Sequence, residues 1–130
     1  IGAGAGEIAS GTTGDYQNTA DHSTYYATYV WGNLTVGAQI SEIDETGTST
    51  SHEQTRWGVL YAINDEMSVS YQNHENDASG TTVDEEASGI SASYTSGGIT
   101  YKIHRNTADN VSNATSNESE HTEIGVTFAF

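Results

Sequence analysis

Apolar and polar positions alternate along most of this chain. Its last eight residues, EIGVTFAF, place Ile124, Val126, Phe128 and Phe130 on one parity and Glu123, Gly125, Thr127 and Ala129 on the other. A period of two sorts such sets onto opposite faces of a β-strand. The same pattern predicts eight strands, at about 1–9, 20–31, 34–44, 54–63, 67–76, 87–96, 99–106 and 121–130. Tyr25, Ala27, Tyr29 and Trp31 share a parity, as do Leu34 to Ile40, Trp57 to Ile63, Met67 to Tyr71, Ile90 to Tyr94 and Ile99 to Ile103. Ser, Thr, Gly and Gln fill the opposite parity. No stretch keeps helical spacing, and only IGAGAGEIA reads weakly, because glycine lowers strand propensity.

Short and long connections alternate between the strands. Gly32-Asn33, Asn64-Asp65-Glu66 and Gly97-Gly98 are tight-turn residues suited to hairpins. Polar loops are expected near 10–19, 45–53, 77–86 and 107–120. The turns recur about every 33 residues, so residues 1–130 read as four hairpin units of one β segment with no second domain.

Charge narrows the partners. Eighteen acidic residues face three basic ones, Arg56, Lys102 and Arg105, for a net charge of −15. Nucleic acid is a poor partner, because binding phosphate needs clustered Lys and Arg. Cysteine and proline are both absent, so there is no thiolate framework and nothing to interrupt the strands. The chain opens on Ile1 without an initiator Met or signal-peptide pattern, so it is expected to be a mature or trimmed product.

Strands of this length, short turns at one end, long polar loops at the other and one apolar face per strand describe an antiparallel up-and-down transmembrane β-barrel. Tyr25, Tyr29, Trp31, Trp57 and Tyr71 are expected at the membrane interfaces, where amphipathic rings are favoured. The alternative is a soluble sandwich or lipocalin-like barrel, which would turn the same faces inward.

At its end the chain resembles the C-terminal part of a Gram-negative bacterial outer-membrane porin. Glu123, Gly125, Phe128 and Phe130 match that family's polar-x-Gly-x-x-aromatic-x-aromatic signal position by position. The resemblance implies that the barrel-assembly machinery reads these residues. It further implies outer-membrane lipid, lipopolysaccharide and small hydrophilic solutes as partners, and a homotrimer. Family porins have about sixteen strands and a loop folded into the lumen, whereas eight strands and no such loop are legible here. Two architectures therefore stay open, a complete eight-stranded barrel and part of a roughly sixteen-stranded wall. An eight-stranded barrel is filled by its own side chains. The inward parity here is mostly Ser, Thr and Gly, which favours the wider, water-filled channel.

Arg56, Lys102, His104, Gln39 and Gln72 have the inward parity and are the pore-lining candidates. Arg105 has the outward parity near the loop end, where it would meet lipopolysaccharide phosphates. His22, His74 and His104 are not brought together by strand spacing, so no metal site is expected. The acidic stretches 83–88 and 116–123 would suit Ca or Mg at most weakly, since neither has the spacing of a calcium loop. Asn33, Asn110, Asn113 and Asn117 begin sequons, read here as coincidences of Asn/Ser/Thr-rich connections. No nucleophile–base constellation is present, so no enzyme is expected. The expected function is passive diffusion of small hydrophilic solutes across an outer membrane. The rivals are a structural or adhesive surface barrel and a secreted β-rich polymer subunit.

Overall fold

A computed structural model describes residues 1–9, 19–46 and 50–129, so Phe130 of the expected terminal signal and most of the expected 10–19 loop lie outside the described residues. Eight strands are present: β1 (Gly2–Ala9), β2 (Thr19–Trp31), β3 (Leu34–Thr46), β4 (Thr50–Ala62), β5 (Met67–Ala78), β6 (Glu85–Ser96), β7 (Ile99–Asp109) and β8 (Ser119–Phe128). They form one antiparallel sheet in chain order, so the fold is all-β and up-and-down. Gly97 and Gly98 carry φ of 58° and 79°, and Gly32 carries 57°, a region that side chains disfavour. The turn at 63–66 uses a different device. Asn64 Oδ1 accepts hydrogen bonds from the backbone N–H groups of Glu66 and Met67, each at 2.9 Å.

The strands run further toward the loops than alternation predicts. β3 continues to Thr46, β4 begins at Thr50, β5 reaches Ala78 and β7 reaches Asp109. The expected 45–53 loop is thus largely paired strand, with Asp44 opposite Ser51 and Glu45 opposite Thr50. Backbone ladders continue whatever the side chains, so a polar stretch loses the alternation signal without losing the strand. A 3-10 turn at Val111–Asn113 is the helical element among the described residues. Asn110 and Asn113, both at φ 54°, hold it. Asn113 Nδ2 donates to the Asn76 carbonyl at 2.9 Å and Asn110 Nδ2 to the Asp84 carbonyl at 3.0 Å. These asparagines therefore have a structural use in tying the β7–β8 connection to β5 and β6.

Register reveals a stagger. Trp31 is level with Leu34, Tyr61, Val69, Ala92, Ile103 and Ile124 across successive strands. β2 ends at Trp31, but β6 ends at Ser96, four residues beyond Ala92 and four strand-to-strand steps away. The short-turn ends therefore move one residue per strand. With about 3.3 Å per residue and about 4.8 Å between strands, the strands tilt by about 35° from the perpendicular to the line of turns.

The sheet is a single layer. Ala78, 6% exposed, is the one buried apolar side chain among the described residues. Trp31, Tyr29, Ile90, Ile124 and Phe128 are all exposed. A soluble sandwich or lipocalin-like barrel would bury this apolar face against protein, and no second layer among the described residues covers it. β1 and β8 each have one strand neighbour, so the described sheet is open. The complete eight-stranded barrel requires β8 to pair with β1, and no described residue makes that pairing.

Candidate functional site

Paired residues of neighbouring strands share a face, so the register sorts every side chain onto one side of the sheet. On β2 the apolar face carries Tyr25, Ala27, Tyr29 and Trp31, then changes to Ser23 and Asp21 toward the loops. Each later strand repeats the change, displaced by the stagger. The result is an apolar band crossing the strands obliquely.

All five expected interface aromatics lie exposed on this band. Trp57 packs against Tyr71 across β4 and β5, with ring centroids 5.4 Å apart. Tyr94 and Tyr101 stack at 6.4 Å beside the β6–β7 turn. With Trp31, Tyr61 and Phe128 they mark the short-turn margin. The tilt hides this line in the sequence, since the residues are level only along the oblique direction.

The opposite face is mostly polar, with many small side chains, although Tyr26, Val30 and Leu60 also lie exposed on it. Hydroxyls pair across strands: Ser68 with Ser93 at 2.8 Å, Ser70 with Ser91 at 2.7 Å and Thr95 with Thr100 at 2.9 Å. Each hydroxyl keeps acceptor capacity for water or solute. Two adjoining concavities of about 520 and 430 Å³ lie over this face and meet at Gln72 and Asn106. Gln39, Arg56 and Gln72 line the first; Gln72, Lys102 and His104 line the second. All five pore-lining candidates thus edge one continuous trough. Glycine shapes it, because a Cβ on Gly89 would run into the Asn106 amide.

The two inward cations are not a pair. Lys102 is level with Ser93, Ser68 and Ala62, six residues from Arg56 along β4. That is about 20 Å along the strand. Among the described residues neither forms an ion pair, and Arg56 donates to Gln54 Oε1 at 3.0 Å. Among the described residues the two cations on this face thus stand apart.

Beyond the band on the outward face lies a belt of carboxylates. Asp21 stands opposite Asp44, Glu42 opposite Glu53, Glu53 opposite Asp77, and Glu75 opposite Glu86. Like charges directly opposed across strands destabilise a sheet, so this margin favours cations nearby. Arg105, on the same face but opposite Ile90 of the band, donates to Glu120 Oε2 at 2.7 Å, both side chains being more than half exposed. The acidic stretch at 83–88 is partly structural, since Glu85 Oε2 accepts from the Ser112 N–H at 2.7 Å.

The histidines divide. His22 lies opposite Ile43, His74 lies opposite Arg56, and His104 lies opposite Glu123. Spacing keeps those three apart, but it conceals His121, which comes beside His104 on the polar face with ring centroids 6.3 Å apart. Glu123 and Gly125 of the terminal signal face the polar side, and Phe128 lies on the band opposite Ile99. A Cβ on Gly125 would meet nothing within 4 Å, so packing within the sheet does not demand glycine there.

No family model, curated protein or solved structure matches this chain.

Proposed function

We propose that this chain forms part of the wall of a porin, a β-barrel channel of the bacterial outer membrane through which small hydrophilic solutes diffuse passively. One observation carries the reading. A single-layer sheet exposes a continuous apolar band on one side and, on the other, a trough rich in hydroxyl, amide and glycine positions that also holds Tyr26 and Leu60. Such a sheet is unstable in water and suited to standing between lipid and water. The tilt of about 35° falls within the range for membrane barrels.

In hydrocarbon every backbone polar group must be paired, so the free edges of β1 and β8 require further strands. A wall of about sixteen strands, and a homotrimer of such walls, fit this need and the small lining side chains. The carboxylate belt would then lie at the headgroup level, where Ca or Mg ions would link it to lipopolysaccharide phosphates. Catalysis has no part in this reading. The open edges also favour a second reading, a secreted subunit that polymerises by strand addition. Uniform filaments in micrographs would distinguish it, although polymerisation leaves the apolar band uncovered.

Planar bilayers test the channel. Eighteen acidic against three basic residues should give the mouth a negative potential and a preference for K⁺ over Cl⁻. The preference should shrink between 0.01 M and 1 M KCl, as the Debye length falls from about 30 to 3 Å. Absence of conductance would overturn the porin reading. Anion preference at low salt would show that the carboxylates do not govern permeation.

A further inference from the structure

The β7–β8 pairing brings together three ligating side chains that sequence spacing leaves apart. His104 is directly opposite Glu123, and His121 lies two residues before Glu123 on the same face. Both His Nε2 atoms stand 3.6 Å from Glu123 Oε2, and one ligand atom from each residue lies within 4.8 Å of the other two. We propose that His104, His121 and Glu123 form a binding site for a borderline divalent transition-metal ion of the Zn²⁺ or Cu²⁺ class on the polar face. Two imidazoles and one carboxylate select these ions over Ca²⁺ and Mg²⁺, which take oxygen donors.

The distances fit the chemistry. Metal–donor bonds of about 2.0–2.2 Å place tetrahedral donors roughly 3.4 Å apart. Small side-chain rotations bring the three atoms to that spacing, and rotation is open because His121 and Glu123 are exposed and His104 is half-buried. The strands themselves need not move, since cross-strand register already fixes where each side chain starts. Three protein ligands leave a fourth position for water or a solute on the trough side. Lys102, two residues from His104 on the same face, is the nearby cation on β7 that opposes binding, and Glu123 offsets it.

The site does not depend on whether the sheet surrounds a channel, and its test differs accordingly. The full chain in detergent, with strand content checked by circular dichroism, is titrated calorimetrically with ZnCl₂ and separately with CaCl₂. One Zn²⁺ per chain is expected, with no competition from equimolar Ca²⁺. His121→Ala and Glu123→Gln should each weaken binding by at least about tenfold, while His22→Ala should leave it unchanged. Cu²⁺ bound to the unaltered chain should show coupling to two imidazole nitrogens by electron paramagnetic resonance, a readout that needs no variant to fold. Zinc affinity unchanged in His104→Gln/His121→Ala, or no nitrogen coupling, would overturn the site and leave only His–Glu ion pairs.

Discussion

Ala92→Arg is expected to prevent stable insertion of this chain into lipid, whereas Ser91→Arg, one residue along the same strand, is expected to be tolerated. Ala92 lies between Tyr94 and Ile90 on the apolar stretch of β6, opposite Val69 and Ile103 and inside the short-turn margin. Ser91 faces the trough, hydrogen-bonded to Ser70. An arginine on the lipid face of a membrane barrel costs about 2–4 kcal/mol at the bilayer midplane. At about 1.4 kcal/mol per tenfold, that is roughly a 30- to 700-fold loss in the folding equilibrium. On the polar face the guanidinium reaches water and costs one neutral hydrogen bond, about 1 kcal/mol. Denaturant titration of both variants in liposomes measures the contrast. Equal destabilisation would mean that the two faces do not meet different solvents.

Phe130→Ala is expected to cut the folded, heat-modifiable protein in outer membranes several-fold while leaving the conductance of each assembled channel unaltered. Its ground is the match of Glu123, Gly125, Phe128 and Phe130 to the porin assembly signal. Ile124→Ala is the control, since Ile124 is an exposed apolar residue of the same strand outside the signal's aromatic positions. In a lipid-contact role, removing either side chain would cost a transfer free energy of similar order, about 1.5–3 kcal/mol. A lipid-contact role alone therefore predicts comparable losses. Recognition by the assembly machinery predicts a much larger loss for Phe130. Equal yields of the two variants would remove the proposed signal.

Most of the architecture was legible because alternation reports a face directly. Trp31 opposite Leu34, and Ser96 opposite Ile99, follow from turns only a few residues long. The sorting of Gln39, Arg56, Gln72, Lys102 and His104 onto one face follows from parity alone. Strand ends at the loops were not legible, because Asp44, Glu45, Thr50 and Ser51 carry no apolar signal while their backbones still pair. The tilt needed register through six pairings in succession, which no single hairpin contains.

The His104–His121–Glu123 cluster was hidden for a related reason. Its register depends on how many residues the 110–118 connection absorbs. There Asn110, Ser112, Asn113 and Ser116 adopt positive φ, which the sequence does not specify. His121 and Glu123 share a face of β8, and the pairing with β7 adds the second imidazole.

The central claim is that lipid covers the apolar band, and the chain's two tryptophans report on it directly. Trp31 and Trp57 both lie on that face, 73% and 46% exposed, the first at the short-turn margin and the second toward the loops. Protein reconstituted into vesicles of brominated phospholipid should show strong quenching of both, resolved with Trp31→Phe and Trp57→Phe, and weak quenching by aqueous acrylamide. Emission indifferent to brominated lipid, whether open to acrylamide or shielded from both, would place the band in water or against protein and contradict the account.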